Sequence, residues 1–183
     1  RRIMKSRLVC CAAVLGLFLS PVTAEICEIT VWAMPEMQEV NIADGTAMVD
    51  LYAFIPEEFA TIGFGFDVDV DGASVSYVGF APAAPFIATP TFDGDGIGGV
   101  IFPPDTAFGD AVMLGTMTFS LDALGMSTLM FSDDNPDDLT EGFALEAVGA
   151  FAEMCYEGAT ITVIPEPAAL ALLALAGLMV RRR

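Results

Sequence analysis

Carboxylates carry nearly all the chemistry this sequence could do. The densest run is "SDDNPDDLTEG", where Asp133, Asp134, Asp137 and Asp138 crowd a turn-forming segment. Oxygen ligands on an irregular loop suit Ca²⁺, which accepts variable geometry, so these four aspartates are the candidate calcium ligands and Ca²⁺ the candidate cofactor. A solvated acidic turn explains the same residues, and both readings stay open. "FDGDGIGG", from Phe92 to Gly99, is a second loop of this kind. "DVDVDG" places Asp67, Asp69, Asp71 and Gly72 at positions one, three, five and six of a calcium loop, but Val78 stands at position twelve where a bidentate Glu is needed. Spacing i, i+2, i+4 is also one face of a strand, and that is the reading adopted for them. Two carboxylates could in principle run glycoside hydrolysis. With so many acids some pair must be close, so proximity marks no catalytic pair.

Charge distribution bounds the function more sharply. The seven basic residues are Arg1, Arg2, Lys5, Arg7, Arg181, Arg182 and Arg183, all at the ends of the 183-residue chain. Of the 25 acids only Glu166 lies beyond residue 163 and none precedes residue 25, so residues 25–163 hold 24 acids and no Lys, Arg or His. Phosphate neutralisation needs Lys or Arg, which excludes nucleic acid as a partner. Without histidine, neither a Ser-His-Asp nor a Cys-His arrangement nor a histidine-ligated zinc site can form. Schiff-base chemistry lacks its lysine. The expectation is a protein that is not an enzyme.

The two ends read as targeting segments. Lys5 and Arg7 form a basic start, Leu8 to Leu19 an apolar stretch, and Val22-Thr23-Ala24 a small-residue cleavage site. Residues 1–24 are therefore expected to be a signal peptide, cut between Ala24 and Glu25. At the other end Pro165 and Pro167 break the last strand. Ala168 to Val180 is uncharged and rich in the helix formers Ala and Leu. Thirteen helical residues rise about 20 Å, against a hydrocarbon core of roughly 30 Å. Arg181, Arg182 and Arg183 would stop transfer and stay cytoplasmic. The expected localisation is export, with a short C-terminal transmembrane helix holding the domain outside the cytoplasm.

Between these ends, residues 25–163 read as one all-β domain. "ICEITVWA", "TAMVDLYAFI", "IGFGFDVDV", "ASVSYVGF", "GVIF", "VMLGTMTFSL", "STLMFS", "GFALEAV" and "ATITVI" are about nine strands. Ile62, Phe64, Phe66, Val68 and Val70 share one face of the third, with Asp67 and Asp69 on the other. "APAAPFIATPTFDGDGIGG" reads as a long connection, and "PEEFA", Pro56 to Ala60, as the one short helix. Short strands with turn signals between them argue for an antiparallel β-sandwich or jelly roll. Trp32 alternates with apolar neighbours and is assigned to the core rather than to a sugar-binding platform. Cys27 and Cys155 remain after signal cleavage, and export makes a disulfide between them plausible chemistry. If "EITVWA" and "ATITV" ran side by side in parallel, the bridge would clip the two ends of the sandwich together.

The tail "PEPAALALLALAGLMVRRR" resembles the PEP-CTERM sorting tails of Gram-negative and related bacteria: Pro165-Glu166-Pro167, a short Ala/Leu helix and a terminal Arg cluster, in that order over residues 164–183. The resemblance implies recognition of Pro165, Glu166 and Pro167 by an exosortase, a membrane-embedded processing enzyme, and association with exopolysaccharide and biofilm matrix. The core, through "IGFGFDVDVDGASVSYVGF", "VMLGTMTFSL", "GMSTLMFS" and "ATITV", is similar in order to cohesin-like domains. That implies a nine-strand jelly roll related to carbohydrate-binding sandwiches. Together these lead to the expectation of an exported cell-surface or matrix protein whose core binds glycan, as exopolysaccharide, or a secreted protein. A secreted glycan-active enzyme and a purely structural acidic matrix protein are the alternatives.

Overall fold

A computed structural model describes residues 27–89, 96–133, 141–146, 152, 154–167 and 172. The described residues form twelve strands: β1 Ile29–Met34, β2 Met37–Asn41, β3 Thr46–Ile55, β4 Thr61–Asp71, β5 Val75–Pro82, β6 Ile87–Ala88, β7 Gly96–Val100, β8 Gly109–Leu121, β9 Gly125–Ser132, β10 Gly142–Leu145, β11 Met154–Glu157 and β12 Ala159–Ile164. They build two packed sheets. One has five strands in the order β11-β1-β3-β8-β5. The other has seven, β2-β12-β9-β4-β7-β6, with β10 alongside β4.

Period-two alternation builds both sheets. In β3 Ala47, Val49, Leu51, Ala53 and Ile55 point inward, and in β4 Phe64, Phe66 and Val68 do the same from the opposite sheet. Between them the aromatic side chains interlock. The Phe64 ring meets Phe86 edge-on at 5.0 Å and Phe143 at 5.8 Å, while Phe66 meets Phe131 edge-on at 5.9 Å. Quadrupoles favour such edge contacts, and each buried Phe contributes about 1.5–3 kcal/mol from area alone.

The first and last strands each lie in a parallel pair, but not with one another as the sequence suggested. β1 pairs with β11, so its partner is "MCYE" and not "ATITV". The closing strand β12 pairs in parallel with β2 instead, Thr160 opposite Met37 through Ile164 opposite Asn41. Both chain segments therefore cross from one sheet to the other. Pro35, which has no N–H to give a ladder, lies at the first crossing. Gly158 lies at the second, where a Cβ would sit 2.2 Å from the Leu129 carbonyl oxygen. No side chain fits there without moving the β9 backbone.

Other expectations shift in detail. The connection after β5 contains strand β6 and most of β7, and "GVIF" is replaced by Gly96–Val100 with Ile101 and Phe102 beyond the strand. "PEEFA" is a single 3-10 turn, Glu57–Phe59. "MQEVN" and "MCYE" are strands the pattern did not reveal. The sandwich is mainly antiparallel, with the two parallel pairs at its closing edge.

Two buried hydroxyl sites hold the connections. Thr61 Oγ1 lies 2.7 Å from the carbonyl oxygens of both Gly63 and Ala144 and accepts the Gly63 N–H at 3.2 Å, tying β10 to β4. At the other end of the sandwich Ser74 and Ser127 place their hydroxyls 2.6 Å apart, and the Ser74 N–H donates to Ser127 Oγ at 3.1 Å. The Ser74 carbonyl accepts from Asp122 and Ala123, joining the β4–β5 turn to the β8–β9 turn. Gly72, at φ +125°, completes that turn against Ser127.

Candidate functional site

Cys27 and Cys155 form a disulfide, with Cα atoms 5.5 Å apart across 128 positions of sequence. Cys155 lies inside β11, opposite Thr30 of β1. The bridge therefore fastens a four-residue edge strand to the five-stranded sheet. By the chain-entropy model, closing a loop of this length restricts the unfolded chain by about 5 kcal/mol.

The other residues singled out by type are less gathered. Asp67, Asp69 and Asp71 lie in β4 on the face turned away from the core, as the strand reading requires. Asp133 directly follows β9, whereas Asp134, Asp137 and Asp138 lie outside the described residues. Among the described residues no three acidic or cysteine side chains come together in a metal-ligating group. Pro165 follows β12 directly, with Glu166 and Pro167 exposed. Ala24, Glu25 and Arg181 to Arg183 lie outside the described residues. Among the described residues no helix is long and apolar enough to cross a membrane, and the greater part of the 168–180 segment is not among them.

The surfaces with something to offer a partner are the two outer sheet faces. On the seven-stranded sheet, register lines residues up in rows. Met37, Thr160, Thr128 and Asp71 form one row across β2, β12, β9 and β4. Glu39, Thr162 and Met126 form the next, and Met130 faces Asp69 beyond. Toward β7 the rows flatten: Asp67 pairs with Gly96 and Gly65 with Gly98. Met126 is 64% exposed and Met130 47%. The result is a flat face of threonines, flexible methionines and carboxylates.

The five-stranded sheet presents aromatic rings instead. Glu157, Trp32, Tyr52 and Met113 stand in one row across β11, β1, β3 and β8. The rings of Trp32 and Tyr52 are near parallel, 19° apart, with centroids 6.1 Å from each other. Phe54, the next outward residue of β3, is 41% exposed. In the neighbouring row Asp50 stands opposite Met34 and Thr116, and accepts the Thr116 hydroxyl at 2.6 Å. Trp32 is thus an outward, half-buried residue and not part of the core. Two other tyrosines turn inward: Tyr156 packs on Phe66, and Tyr77 packs edge-on against Phe119, where burial pushes its phenol above the ordinary value.

This architecture is that of the cohesin domains. The seventh ScaB type I cohesin from Pseudobacteroides cellulosolvens superposes with a TM-score of 0.54 at 14% identity, over 77% of this chain and 95% of that one. The third ScaB cohesin of R. flavefaciens, solved in complex with a group 1 dockerin, gives 0.58 at 9% identity, covering 77% and 98%. A non-cellulosomal cohesin from the hyperthermophilic archaeon Archaeoglobus fulgidus gives 0.50 at 11%, covering 79% and 97%. The likeness is one of fold. No protein-family model matches the chain, and no curated protein does.

Proposed function

We propose that this chain is an exported cell-surface or matrix protein whose cohesin-like sandwich is a non-catalytic module for binding another protein. The observation that carries this reading is the outer face of the seven-stranded sheet. Rows of Thr offer hydroxyls to a partner's hydrogen-bonding groups, and exposed methionines adapt to a partner's shape. Asp67, Asp69 and Asp71 add a line of negative charge to fix orientation and speed encounter. The solved relatives in fold that are described as complexes with dockerins support the choice of a protein over a glycan partner.

In this reading the signal peptide, cut between Ala24 and Glu25, exports the chain, and the C-terminal segment holds it in the membrane. Pro165-Glu166-Pro167 is the recognition motif for an exosortase-type enzyme. Its position supports this role, since β12 ends at Ile164 and the motif stands at the rim of the folded domain. Ca²⁺ at Asp133, Asp134, Asp137 and Asp138 remains a proposal for the acidic loop.

Two experiments test the reading. The tagged chain, captured from the medium of its own producing culture, is expected to retain one secreted protein saturably, and Met126→Ala with Met130→Ala to weaken that retention. Retention of exopolysaccharide instead would overturn the protein-binding reading. For the tail, replacing Pro165, Glu166 and Pro167 with Ala is expected to block C-terminal processing, read as intact mass; normal trimming of that variant would refute the sorting role.

A further inference from the structure

We propose that the outer face of the five-stranded sheet is a second binding site, which takes an arginine side chain of a basic protein segment. The seven-stranded face plays no part in it.

The only tryptophan of the chain stands on this face, ring to ring with Tyr52. On an alternating strand, an outward Trp exposes apolar surface that folding does not require. The register sets one carboxylate at the β11 end of the pair and a second in the neighbouring row. Glu157 is directly opposite Trp32 on the neighbouring strand, about 5 Å away in the ladder direction. Asp50 is two residues along β3 from Tyr52, about 7 Å away, with its carboxylate held by Thr116.

Aromatic faces beside carboxylates match one side chain best. A guanidinium stacks flat on an indole or phenol ring through the ring quadrupole, and its edge N–H groups reach carboxylates in the same plane. Charge complementarity selects the same occupant. Residues 25–163 hold 24 acids and no basic side chain, so Glu157 and Asp50 have no cation within the domain to neutralise them. An acidic polysaccharide would be repelled. A neutral sugar would use the rings and leave both carboxylates without a counter-charge. An arginine stacks on the rings and pairs with Glu157, while Asp50 adds attraction from the neighbouring row.

Trp32, as the single indole, is its own reporter. The full-length oxidised chain is titrated with a capped hexa-arginine peptide, a hexa-citrulline peptide, a hexa-lysine peptide and cellohexaose, reading Trp fluorescence and calorimetry. The expected result is a saturable fluorescence change with the arginine peptide, about tenfold tighter than with citrulline and tighter than with lysine. Raising salt weakens it. Glu157→Gln and Trp32→Leu, each checked for unchanged thermal stability, are expected to lower arginine affinity severalfold. Asp69→Asn with Asp71→Asn on the opposite face removes more charge and is expected to change it less. Equal loss from the two sets of variants would mean diffuse electrostatic attraction and overturn the site. So would equal binding of arginine and lysine peptides, or tighter binding of cellohexaose that is lost in Trp32→Leu. Loss of this site with the secreted partner still retained would leave the protein-binding reading of the other face intact.

Discussion

The two outer faces of the sandwich rest on one core and differ in almost every other respect. The seven-stranded face is flat and floored by Thr and Gly, with methionines above. The five-stranded face stacks Trp32 on Tyr52 beside Glu157, with Asp50 in the neighbouring row, and its edge strand is fastened by a disulfide. A stable fold needs only the inward half of each strand, so the outward halves are free to diverge. Where they carry large apolar or aromatic groups, a partner is the natural explanation.

The comparison can be broken at its common support. Gly158 carries the closing strand from the aromatic face to the flat one, and Gly158→Val would drive a Cβ into the Leu129 carbonyl. The expected loss is about 3 kcal/mol or more, seen in urea unfolding, with both faces lost together. A variant as stable as the parent would mean that β12 can cross elsewhere.

Removing the disulfide separates the faces. Cys27→Ser with Cys155→Ser is expected to lower stability by about 2–5 kcal/mol. Hydrogen exchange should rise first in Met154–Glu157 and at Trp32, while β9 and β4 remain protected longer. Uniform exchange across both sheets would show that β11 does not depend on the bridge. Ser127→Ala acts at the opposite end, leaving the buried Ser74 hydroxyl and N–H without their partner. An expected cost of about 1–3 kcal/mol, with neither face's binding altered, is read by thermal unfolding together with titration.

The smallest effect is alkaline. Burial raises the Tyr77 phenol above the ordinary value near 10, so the folded state keeps a proton that the unfolded state releases. That contribution is complete below the unfolded value and is lost as pH rises above it. Stability is therefore expected to fall with pH on the alkaline side, and Tyr77→Phe to flatten the fall. Identical pH profiles for the two proteins would assign the alkaline limb to other groups.

Much of this was legible beforehand because period-two alternation is a local signal. Phe64, Phe66 and Val68 identify their inward face within a few residues, and Asp67 and Asp69 follow on the other. The short or glycine-rich strands were not legible. "GIGGV" and "MCYE" lack a run of β-branched residues, and they exist because β4 and β1 offer them ladders from far away in sequence. Trp32 was misplaced because alternation separates two faces without saying which is covered. Indole is apolar enough for either.

The sequence by itself determined that the domain is a β-sandwich, that it carries no base to neutralise its acids, and that Cys27 and Cys155 can bridge. Composition and short-range pattern suffice for these. Only the tertiary structure decided that β11 and not β12 lies beside β1, and that Trp32 stands on an outer face beside Glu157. Strand pairing is a contest among distant segments for the same backbone hydrogen bonds, and its outcome depends on the crossing at Gly158 and on packing that no local window contains.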